Sequence, residues 1–150
     1  MSDPQTEPDT ANALAMAGEL RVLIGKLNRR LREQAHSSDL TASQKSVLLH
    51  LEREGSATAT ELAKADGVRP QSMGATVAML MQAGWISGAP HPNDGRQTLL
   101  SLTAACRKMI KAGRAAREDW LFRAIQTKLA VKEQQKLAAG IELLKRLVDS

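Results

Sequence analysis

Between Ala11 and Arg32 the apolar residues Leu20, Leu23, Ile24, Leu27 and Leu31 return at steps of three and four, the period of a helix with one apolar stripe. The segment LTASQKSVLLHLEREG repeats that period with Val47, Leu48 and Leu51 inward. It begins at Thr41 and Gln44, which have the spacing of a capping box, and Gly55 can stop it. A second box, Thr58 and Glu61 in TATE, opens a brief helix around Leu62 and Ala63 that must finish near Gly67. Pro70 suits the first turn of a fourth helix, PQSMGATVAMLMQAG, with Met73, Val77 and Leu80 on one face and Gly84 as its stop. Two short helices that meet at Gly67 to Pro70 have helix-turn-helix spacing.

The period then changes. In WISGA, PHPNDGR and QTLLSLT, Leu100 and Leu102 alternate with Ser101, which predicts a strand with one buried face. Asp94-Gly95 predicts a tight hairpin turn, whose central positions want positive φ. A single pair near Ala57 is expected to add a third edge to this hairpin. From Thr103 to about Lys128 the chain reads as one long helix, and a last one starts at Val131 or Lys132. In the last helix Leu137, Ile141, Leu144 and Val148 are spaced four, three and four, the seam of a helix that packs on another. The fold class is therefore mainly α with a small antiparallel β-hairpin.

The chain has 150 residues, 43% apolar and 25% charged, the balance of one globular domain. Residues 1–10, acidic and with two prolines, are expected to form a mobile tail. A net charge of +5 favours an anionic partner, and its distribution is uneven. From Gly67 to Arg117 the basic residues are Arg69, Arg96, Arg107, Lys108, Lys111, Arg114 and Arg117, against one acid, Asp94. The lone Cys106 excludes an internal disulfide. No secretory leader and no apolar run of the roughly 20 residues of a membrane span are found, so a cytoplasmic protein without a membrane partner is expected.

A helix-turn-helix followed by a two-stranded ribbon is a winged helix. Its second helix can enter a major groove about 12 Å wide, and a basic side chain at the ribbon tip can reach the adjoining minor groove. Arg96 has that position. The span Leu40 to Thr103 resembles the MarR family of bacterial transcriptional regulators, through LTASQKSVLLHL, ATATELAKADGVRPQSMGATVAML, QAGWI and above all NDGRQTLLSLT. The last looks like the family's wing motif of Asp, any residue, Arg and then Leu-Thr. With the flanking helices the resemblance extends over about residues 11 to 149.

The resemblance implies a homodimer, with 11–36 and 104–150 as dimerisation helices and 37–103 as the winged helix-turn-helix lobe. It implies double-stranded DNA with a pseudo-palindromic operator as partner, and a small aromatic compound as candidate effector that releases a repressor. Carried over residue by residue, Arg96 would enter the minor groove and Asp94 would orient it. The recognition helix would offer Arg69, Gln71, Ser72, Ala75 and Thr76: Gln71 can read adenine, Ser72 a base or a phosphate, and Ala75 a thymine methyl. That face is less polar than is usual in the family, and WISGAP lacks the Arg that members often carry there.

Other chemistry has little support. There is no nucleophile motif, phosphate loop or Cys-x-x-Cys, so neither an enzyme nor a bound cofactor is expected. His36, His50 and His91 have no companion at ligand spacing, so no metal is expected. Cys106 reads as a small buried hydrophobe, Trp85 as core under the wing, and Trp120 as core or the lining of an effector cavity. An aromatic content of 2% disfavours a reader of single-stranded RNA. The surviving alternative is a winged-helix dimer that acts through protein contacts.

Overall fold

The computed structural model describes residues 6–35 and 40–149, with side chains from residue 9; His36 lies outside them. The elements in order are α1 (Thr6–Gln34), α2 (Ala42–Glu54), β1 (Ala57–Thr58), α3 (Ala59–Asp66), α4 (Pro70–Gln82), β2 (Ile86–Pro90), β3 (Thr98–Leu102), α5 (Ala104–Lys128) and α6 (Val131–Val148). The helix α1 starts at Thr6, so 6–10 are helical where a tail to residue 10 was expected. Pro8 lacks only an N–H that the first turn of a helix leaves unbonded in any case.

Local signals set most boundaries. Thr41 Oγ1 accepts the Gln44 N–H at 3.1 Å while Gln44 Oε1 accepts the Thr41 N–H at 3.0 Å, the full reciprocal cap. At α3 only half forms: Thr58 Oγ1 accepts the Glu61 N–H at 3.2 Å. Gly67 ends α3 in the left-handed region at φ 64°, so the chain can turn sharply into α4. Thr103 Oγ1 accepts the Cys106 N–H at 3.1 Å and donates to Gly84 O at 2.7 Å, which starts α5 and ties that start to the end of α4.

The sheet order is β1-β3-β2, both pairs antiparallel. Leu100 faces Ala57 on one side and Gly88 on the other, and Leu102 faces Ile86. The core gathers Val47, Leu48, Leu51, Leu62, Met73, Val77, Leu80, Ile86, Leu100, Leu102 and Cys106, with Trp85, Met109 and Ile110 packed against it. Burying side chains of this kind contributes about 1.5–3 kcal/mol each relative to leaving them exposed, so this cluster is the main source of stability in its unit.

The chain divides into two units, 1–35 with 115–150, and 36–114. The division falls inside α5, after Arg114, rather than at its start. The first turns of α5 belong to the helix-turn-helix unit because Cys106, Met109 and Ile110 join its core and Arg114 reaches Glu52 of α2 at 2.7 Å.

Gly88 allows a close approach. A Cβ placed there would stand 2.6 Å from Thr98 Cγ2 and 3.6 Å from Met81 Cε on α4. Gly88→Ala is therefore expected to destabilise the fold by about 1–3 kcal/mol. Thr98→Ser, which removes that methyl, should recover part of the loss. Urea unfolding of the two single variants and the double variant measures the coupling; additive effects would contradict it.

Candidate nucleic-acid interface

The second helix of the pair, α4, turns Met73, Val77 and Leu80 into the core, so the helical period places Gln71, Ser72 and Ala75 on the solvent side. All three are exposed, as is Arg69 at the N-cap. Arg69 makes no capping bond, and the Gln71 and Ser72 N–H groups of the first turn stay open. Thr76 is half-buried, and its hydroxyl donates to Ser72 O at 3.2 Å, leaving it an acceptor. A Cβ at Gly74 would meet nothing within 4 Å, so this part of the helix surface is open and flat. No residue from Pro70 to Gln82 is charged.

The hairpin of β2 and β3 ends at the pair Pro90 and Thr98, and residues 91–97 form the tip. This is not the tight two-residue turn expected from Asp94-Gly95. Gly95 is absent from the glycines with positive φ, which are Gly55, Gly67 and Gly84. Instead Gln97 N–H donates to Asp94 O at 3.0 Å, so Asp94 opens a four-residue turn, a position that Asp favours. The loop is wide because the Gln97 N–H, which a continued ladder would give to His91 O, goes to Asp94 O.

Asp94 Oδ1 accepts the Arg96 N–H at 3.1 Å. It thus positions Arg96 through the backbone. The guanidinium makes no ion pair among the described residues and is exposed at the tip. Asp94 is exposed as well. All seven sequence-predicted residues, Arg69, Gln71, Ser72, Ala75, Thr76, Asp94 and Arg96, belong to the unit 36–114, five at the start of α4 and two on the tip. One residue of the tip escaped the sequence reading: His91 Nδ1 accepts the Asn93 N–H at 3.1 Å. The signal was its place between two prolines, two residues before a free backbone donor.

The remaining candidates sort by burial. Cys106 is fully buried; desolvation pushes its thiol pKa up, a rise that Arg107 reduces and Glu52 reinforces. Trp85 packs half-buried against the core, and Trp120 is half-buried in the other unit. Among the described residues no three His, Cys, Asp or Glu side chains are grouped to hold a metal ion, and no helix is long and apolar enough to cross a membrane.

A helix-turn-helix that leads into a three-stranded sheet with a projecting loop defines a winged helix-turn-helix domain. Residues 38–97 match the sequence model of the MarR family. An HTH-type transcriptional regulator of Mycobacterium bovis is 38% identical over 134 residues, which span 89% of this chain and 93% of that protein. Among solved structures, a transcriptional regulator from Pseudomonas aeruginosa has a TM-score of 0.79 and 34% identity, covering 93% of this chain and 97% of that one. A MepR variant of S. aureus bound to an oligodeoxyribonucleotide shares the fold, with a TM-score of 0.69 and 18% identity over 88% of this chain and 97% of that one. The chain belongs to the MarR family of winged helix-turn-helix transcriptional regulators.

Cys106, the single thiol of the chain, should resist an aromatic disulfide reagent at pH 8 in the native state and react once urea unfolds the protein. Rapid labelling of the folded chain would contradict its burial.

Proposed function

We propose that the chain is a homodimeric repressor that binds a pseudo-palindromic operator in double-stranded DNA through α4 and the wing and is released by a small aromatic effector. The observation that carries this reading is Arg96: an exposed cation at the tip of a loop, without an ion pair among the described residues, in the same unit as a helix whose outward face is open. A free guanidinium of this kind suits the narrow, negative minor groove, while Gln71 and Ser72 suit base edges in the major groove. The uncapped N–H groups of the first turn of α4 suit a phosphate. The likeness to a fold that has been seen with an oligodeoxyribonucleotide supports DNA as the partner.

Dimerisation is supported by apolar side chains that a single chain leaves uncovered. Leu23, Ile24 and Leu27 of α1 are exposed, as are Ile141, Leu144 and Leu147 of α6. Leaving that much apolar surface in water costs about 25 cal/mol per Å², a strong drive to cover it with a second copy. Two-fold symmetry would then set the half-sites about 34–36 Å apart.

A second reading, a winged-helix dimer that acts through protein contacts, is favoured by one observation: α4 is uncharged and exposes Met79 and Met81. Binding to DNA separates the two. With a duplex recovered by selection from genomic fragments, affinity should fall steeply with salt. Arg96→Ala should weaken binding and reduce the slope of log affinity against log salt by about one, with little change in thermal stability. An unchanged affinity would remove the wing from the mechanism, and failure of the wild type to recover any duplex would favour protein contacts.

Ile141→Glu should convert the dimer to monomer in light scattering without loss of helix content in circular dichroism. Aromatic acids and phenols that displace the protein from the duplex would support effector release, and DNA should weaken their binding by the same factor.

A further inference from the structure

Backbone donors are scarce in the tip of the wing. Pro90 and Pro92 have no N–H, and a residue that precedes proline is held extended, so His91 stands between two stiff neighbours. The His91 N–H donates to Gln97 O at 2.9 Å and closes the loop. The next available donor, the Asn93 N–H, goes to the His91 Nδ1 at 3.1 Å. Asp94 repeats the device one step later, when its Oδ1 accepts the Arg96 N–H at 3.1 Å. Two side chains therefore hold consecutive turns, and Arg96 hangs from the second.

A ring nitrogen accepts only when it carries no hydrogen, so the bond to Asn93 requires a neutral imidazole with its hydrogen on Nε2. No charged or titratable side chain occurs from Pro70 to Pro90 or from Thr98 to Leu102, which covers α4, β2 and β3. Asp94 and Arg96 are the charged groups of the loop itself.

We propose that His91 is a positioning residue of the wing: as the Nε2–H tautomer it holds the turn at Pro92 and Asn93, and that turn sets where Asp94 and Arg96 stand. The inference deepens the reading of the wing as a DNA-contacting element and rests on it. The ring acts through the shape of the loop.

Substitutions distinguish the two ring nitrogens. Asn places an acceptor near the position of Nδ1, whereas Gln reaches only to the position of Nε2. With the duplex selected by the wild-type chain, H91A and H91Q should each weaken binding about fivefold, the effect of one hydrogen bond, and H91N should bind like the wild type. An H91N as weak as H91A, or an H91A equal to the wild type, would overturn the assignment. The free chain gives a test that needs no DNA. Nitrogen-15 spectra of the imidazole at pH 8 should place the hydrogen on Nε2, and the Asn93 amide should lose protection from exchange in H91A but keep it in H91N. A hydrogen on Nδ1 would overturn the inference. If the wild type selects no duplex while these spectra agree, the DNA reading fails and the role of His91 in the loop stands.

Discussion

The register of β3 is the constraint on which the rest of the DNA-binding unit depends. Leu100 is paired on both sides, to Ala57 and to Gly88, so neither edge can slip without the other. A shift of one residue would turn Leu100 and Leu102 out of the core and bring Leu99 and Ser101 in. Both ends of the strand carry something. Its start holds the loop that bears Arg96, and its end passes through Thr103, whose hydroxyl reaches Gly84 O and whose N–H reaches Trp85 O. The same strand therefore locates the wing, the exit of α4 and the first turn of α5.

Around that strand, the charge is kept off the helix that would read sequence. From Pro70 to Gln82 there is none; Arg69 precedes the helix and Arg96 lies across on the wing. In the proposed reading this divides the work, since cations at the margins supply attraction that is indifferent to sequence and short neutral side chains meet the base edges. Gly74 and Ala75 suit close approach more than hydrogen bonding, so discrimination would fall on Gln71 and Ser72, with help from groove shape.

The helices were legible in the sequence because their apolar period is strong. Val47, Leu48, Leu51, Met73, Val77 and Leu80 are buried as that period requires, and Thr41, Gly67 and Pro70 mark boundaries by chemistry that acts within a few residues. Even the short edge at Ala57 could be read, although it pairs at two positions, Ala57 and Thr58, where one was expected. The wing tip was harder, since Asp-Gly suits the centre of a tight turn and also the first two positions of a wider one. What decides between them is the Gln97 N–H, which turns to Asp94 O and leaves the ladder. The exposed face of α4 and the outward Arg96 were legible, whereas the bond from the Asn93 N–H to His91 was not, because a lone histidine is not in itself marked as an acceptor for a backbone amide. The division within α5 was also hidden, because the pattern of one continuous helix carries no sign of where its packing changes.

The contact across the hairpin at Gly88 has a consequence for how this wing can vary. Between Gly88 and Thr98 there is room for the branched side chain on one strand and none on the other. The two positions share a single volume, bounded by Met81 of α4. A larger residue at 88 costs least when 98 shrinks in the same step, so wings exchanged between relatives should be moved as whole hairpins and not strand by strand.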